Sequence, residues 1–88
     1  MHVWVLETFQ RDDKFCEYNS NIVAIYSKSN YRKARKHFTE LCKSNILDNE
    51  ENGISRWRNE KGFFFSSELH GHNGFTMNYV GLRKMEVI

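Results

Sequence analysis

The chain has 88 residues, 40% of them hydrophobic and 15% aromatic, with 13 Lys+Arg against 11 Asp+Glu for a net charge of +2. A chain this short buries only about 60–65% of the surface it exposes when unfolded. That excludes a two-domain enzyme, a doubly wound nucleotide-binding fold, an α/β barrel and a repeat array, while the apolar content excludes a disordered chain.

Residues 2–9 (HVWVLETF) are β-branched and aromatic and predict a strand. Their apolar residues fall on both faces, which places the strand in the middle of a sheet. Residues 10–14, with Asp12 and Asp13, read as a turn, and 15–18 begin a return strand. Asn19-Ser20-Asn21 is expected to break or bulge it before a second strand over 21–27. Ser27, Lys28, Ser29 and Asn30 form a helix start, with Ser29 the favoured cap and Ser27 the alternative. Tyr31, Ala34, Phe38, Leu41 and Cys42 then recur as one stripe of an amphipathic helix, which Asn45 and the run 48–53 end. Segments 54–58 and 62–67 flank Asn59-Glu60-Lys61 as a hairpin, with Gly62 in the left-handed position. The glycine-rich 70–74 turns again, and 75–88 is a last strand in which Gly81 marks a bulge. The fold class is therefore α+β in a single domain, 1–88. A mostly antiparallel sheet of four or five strands, in the order β-β-α-β-β-β, carries one helix across one face.

The chemistry of catalysis is thinly represented. His70 and His72 lie two apart, and His37, Cys16 and Cys42 stand elsewhere, but no spacing matches a structural zinc site. Cys16 and Cys42 read as reduced thiols, with Cys42 on the apolar helix face acting as a small hydrophobe. The adjacent acids Asp12-Asp13 and Glu50-Glu51 read as solvated turns, and no glycine-rich phosphate loop occurs. The expectation is a protein that is not an enzyme, with no catalytic residue, metal or cofactor. The opening MHVWVLETFQ lacks the basic region and small-residue cleavage site of a signal peptide, and no apolar run is long enough to span a membrane. A cytoplasmic location without membrane contact is expected.

The charge distribution says more than its sum. Residues 31–44 carry Arg32, Lys33, Arg35, Lys36 and Lys43 against Glu40, a net +4, while Asp48, Glu50 and Glu51 give 45–53 a net −3. Arg32, Lys36 and Lys43, with Arg35 beside them, are a candidate basic helix face for a partner. One helix of about four turns is ~20 Å long and covers only part of one sheet face. The surplus aromatics therefore define a second candidate surface, on the hairpin: Arg56, Trp57, Arg58, Lys61, Phe63 and Phe65. In Phe63-Phe64-Phe65 at least one ring must point away from the helix. A partner protein is the first expectation for these surfaces and a homodimer through the uncovered face the second.

Nucleic acid is the alternative partner. Lys61-Gly62-Phe63-Phe64-Phe65 resembles the start of the RNP1 motif of RNA-recognition motifs, and Val3-Trp4-Val5-Leu6 faintly resembles the RNP2 strand. That resemblance implies single-strand binding by base stacking, with Arg56, Arg58 and Lys61 on phosphates. Phe64 stands where the motif has Gly or Ala, Ser66-Ser67-Glu68 lacks its final aromatic, and the element order differs from that family. The first 45 residues also resemble a group of small phage and bacterial proteins with no assigned activity. The matching residues are Met1, Val3, Val5, Leu6 and Glu7, then Ile22, Ile25, Tyr26 and Ser27, then Lys33-Ala34. This resemblance implies the fold and, by analogy, a phage accessory protein that binds a host protein in the host cytoplasm.

Overall fold

The computed structural model describes residues 1–13, 15–47, 53–71 and 74–87. Five strands form one sheet: β1 (His2–Asp12), β2 (Glu17–Ser27), β3 (Ile54–Asn59), β4 (Gly62–Gly71) and β5 (Gly74–Glu86). A 3-10 turn (Lys28–Asn30) leads into the single helix α1 (Tyr31–Ser44). The strand order is β2-β1-β5-β4-β3 and every neighbouring pair is antiparallel. This is the expected α+β arrangement, with β1 inside the sheet and α1 on one face.

Strand alternation builds the core. Trp4 and Leu6 of β1, Leu82 and Val80 of β5 and Phe65 of β4 pack against Ala34 and Cys42 of the helix. The other predicted stripe residues, Tyr31, Phe38 and Leu41, are partly buried against this cluster. Val5 points to the opposite face yet is buried, between its cross-strand neighbours Ile25 and Arg83.

Four local expectations are corrected. β1 runs on to Asp12 and β2 starts at Glu17, so Asn19-Ser20-Asn21 is neither a break nor a bulge but regular ladder opposite Gln10, Phe9 and Thr8. Polar residues suit an edge strand whose side chains meet water. The irregularity lies further on, where pairing passes from Leu6↔Ala24 to Glu7↔Ile22 and skips Val23. Gly81 sits in unbroken register with Glu7 and Phe64; a Cβ there would come 2.7 Å from the Tyr79 hydroxyl, so the glycine makes room for that ring. The cap of α1 is Asn30, with no side-chain cap bond, and Ser29 lies within the 3-10 turn, its hydroxyl 3.1 Å from that of Ser27.

Gly62 is needed where the sequence placed it. Its φ is +154°, and a Cβ would come 2.1 Å from the Leu82 carbonyl oxygen. The C-terminal end of α1 is pinned to the sheet: Leu47 N–H donates to Ser67 Oγ (3.0 Å), and Asn78 Nδ2 donates to the Asn45 carbonyl (3.2 Å). The acidic run Asp48, Glu50 and Glu51, His72 and Asn73, and the final Ile88 lie outside the described residues. Among the described residues no helix is long and apolar enough to cross a membrane.

Candidate functional site

α1 packs over β5, β1 and β2, so the β3 edge of the same face is left open, with Arg56 and Arg58 exposed. The result is a groove of about 480 Å³ between the helix flank and the edge strand β3. Arg35, Phe38, Thr39, Cys42 and Lys43 line it from the helix at a spacing of three, one, three and one, the near side of one flank. From the sheet, alternation sends Arg56 and Arg58 to this side, where they stand opposite Phe65 and Phe63 in the β3–β4 register.

The groove is cationic over an aromatic floor. The Arg35 guanidinium lies 3.9 Å from the Phe63 ring centroid, and its Nη1 donates to the Tyr31 hydroxyl at 2.9 Å. Its Nε is buried without a hydrogen-bond partner among the described residues. The Arg56 guanidinium lies 5.5 Å from the Phe65 centroid. Among the described residues no acidic side chain lines the groove. Among the described residues none of Arg35, Lys43, Arg56 and Arg58 is in an ion pair. A concave site lined by one sign of charge over a low-dielectric wall concentrates its field.

The two surfaces read from the sequence thus partly merge. Arg35, Lys43, Arg56, Arg58 and Phe63 meet in one groove, and Trp57, which points to the other face, borders it at the strand edge. Arg32 and Lys36 do not join them. Both are exposed, and Lys36 borders a separate hollow with Tyr26, Lys33, His37 and Glu40, where the Tyr26 hydroxyl meets His37 Nδ1 at 2.7 Å. Lys61 is exposed in the hairpin turn and outside the groove lining. Phe65 is fully buried beneath the helix and Phe63 half-buried on the same side, so neither belongs to the open sheet face. The ring that points there is Phe64. It stacks on Trp57 (5.6 Å, 21°) and on Tyr79 (6.3 Å, 25°). Sequence reasoning missed Phe64 and Tyr79 as a pair, and also Tyr31 as the group that holds Arg35. Alternation sets Phe64 on the face opposite Phe63 and Phe65, but which face meets the helix is decided only by the pairing of Phe63 with Leu82.

The remaining chemistry is quiet. Burial pushes the Cys42 thiol up to about 11, against a smaller opposing pull from Arg56, so it is protonated at neutral pH. Cys16 is exposed in the β1–β2 turn with φ +53°. His70 Nε2 lies 3.5 Å from Glu68 Oε2, and among the described residues no three metal-binding side chains come together. Comparison with protein-family models, with curated proteins and with solved structures returns no match.

Proposed function

We propose that this protein is a non-enzymatic binding module that receives an acidic segment of a partner protein in the groove between α1 and β3. The observation that carries the reading is the cluster of Arg35, Lys43, Arg56 and Arg58 over Phe63, with no acidic side chain lining it among the described residues. Arginines held on aromatic rings keep their planar forks directed, which suits carboxylates or phosphates on a peptide that also brings apolar contact. The N-terminal resemblance to phage proteins suggests the setting, an accessory protein acting on a host partner in the host cytoplasm. A second reading, single-stranded nucleic acid over 54–65, is favoured by the Trp57–Phe64 stack at the groove's edge. The inward direction of Phe63 and Phe65 weighs against it, because stacking in the RNP1 manner needs those rings on the open face.

The test is titration of a labelled acidic peptide, followed by fluorescence anisotropy at about 0.15 M salt. Arg56→Glu with Arg58→Glu is expected to weaken binding by about tenfold or more while the melting curve stays close to wild type, since both side chains are exposed. Oligothymidine of about 20 nucleotides is expected not to compete. Tight oligonucleotide binding, with a log–log salt slope of about −2 to −3 from three or four phosphates, would put the second reading in its place. Peptide binding indifferent to the double reversal sinks the first.

A further inference from the structure

The groove between α1 and β3 carries more than a row of carboxylates asks for. Three of its four cations are arginines, Arg35, Arg56 and Arg58, whose planar forks bind oxyanions with two bonds at a time. Arg35 is the inner one. Its guanidinium sits 3.9 Å from the Phe63 centroid, its Nη1 donates to the Tyr31 hydroxyl, and its Nε is buried with no hydrogen-bond partner among the described residues. A buried donor left unpaired costs free energy, which an acceptor brought into the groove can relieve. Arg56 and Arg58 stand exposed on the facing strand. Phe38, Phe63 and Phe65 supply apolar wall between the two sides. The volume, about 480 Å³, lies in the range of pockets that take a drug-sized ligand, and the side chain of an Asp or Glu would leave most of it unfilled.

We infer that the acid this groove selects is a phosphotyrosine within the partner's acidic segment, an inference that rests on the groove function proposed above. A phosphoryl group carries about −1.5 to −2 charges at neutral pH and three acceptor oxygens. It can therefore engage forks from both walls, Arg35 on the helix and Arg56 and Arg58 on β3. A carboxylate has two oxygens and one charge and spans them less fully. The ring separates phosphotyrosine from phosphoserine. A guanidinium seated on one ring can stack a second on its other face, and Phe38 and Phe63 give that ring apolar contact. Phosphoserine brings the same oxygens on a single methylene, with nothing to cover those phenylalanines. The open β3 edge leaves room for peptide chain on either side of the phosphorylated residue, which a closed pocket for a free small molecule would not.

The test uses the whole protein and one labelled peptide scaffold of alternating Glu and Gly. Its central residue is tyrosine, glutamate, phosphoserine or phosphotyrosine, and each is titrated by fluorescence anisotropy at about 0.15 M salt. The phosphotyrosine peptide is expected to bind about tenfold or more tighter than the tyrosine or glutamate peptide, and about fivefold or more tighter than the phosphoserine peptide. Phenyl phosphate is expected to displace it at concentrations where inorganic phosphate does not. Arg58→Lys keeps the charge and removes the fork; the side chain is exposed, so the fold is retained, checked by circular dichroism. This variant is expected to weaken the phosphotyrosine peptide more than the glutamate peptide, so that the ratio between them falls. Equal binding of the glutamate and phosphotyrosine peptides, both lost in Arg56→Glu with Arg58→Glu, overturns this inference and leaves the groove reading standing. Equal binding of the phosphoserine and phosphotyrosine peptides overturns it as well, because the ring then plays no part. If no peptide binds, or the double reversal changes nothing, the groove reading falls and this inference falls with it.

Discussion

Cys42 and Cys16 are the same side chain in opposite surroundings. Cys42 is buried under the helix and its thiol is pushed up from 9.0 to about 11, while Cys16 is exposed. At about pH 8 a thiol reagent should modify Cys16 alone, and Cys42 only after denaturant is added. A folded pKa above the unfolded one means the stabilisation is complete below the ordinary thiol value and lost as pH rises. The window is therefore pH 9 to 11, over which about 2–3 kcal/mol should go. Tyr79, raised chiefly by burial with Glu7 adding and Arg83 opposing, acts in the same direction from pH 10 upward. Urea unfolding at stepped alkaline pH measures the sum, and Cys42→Ala should remove the lower part of the fall. Two core residues set a scale for comparison. Phe65→Ala should cost about 3–5 kcal/mol, since the ring is fully buried. Gly62→Ala should cost more than about 1 kcal/mol, because its Cβ meets a backbone carbonyl that cannot step aside. Phe38, half-buried at the groove, belongs below Phe65 in that series.

The helix is where local sequence and tertiary need part company. Its first turn contains no acid, and Arg32 and Lys33 sit where the macrodipole is positive. Lys33→Glu, three residues after the Asn30 cap, should therefore stabilise the protein by about 0.5–1 kcal/mol, read as a rise in melting temperature. No change, or a fall, would show that Lys33 has a compensating contact. The apolar stripe of α1 was readable from spacing alone, because a 3.6-residue period leaves few other readings, and so were all five strands. Their ends were not. An edge ladder such as Asn19–Asn21 against β1 needs no apolar residue, so β2 looked shorter than it is. The skip at Val23 depends on the register with β1, which no local pattern encodes. The site was half legible. Its cations were visible as two clusters twenty residues apart, but only the seating of α1 over β5, β1 and β2 brings Arg35 to Arg56 and Arg58. Nor can three identical phenylalanines declare which one faces outward; the pairing of Phe63 with Leu82 and of Phe65 with Val80 decides it.

The molecule as a whole measures 46 × 25 × 20 Å, an elongated sheet with a helix across part of one side. The order β2-β1-β5-β4-β3 has a bearing on solubility. One outer rim of the sheet is β3, six residues long and studded with Arg56 and Arg58. Such a rim repels a like rim and offers little length to template. Growth of the sheet by strand addition at this edge is therefore disfavoured. The arginines that line the groove are, seen from the rim of the sheet, its stop signals.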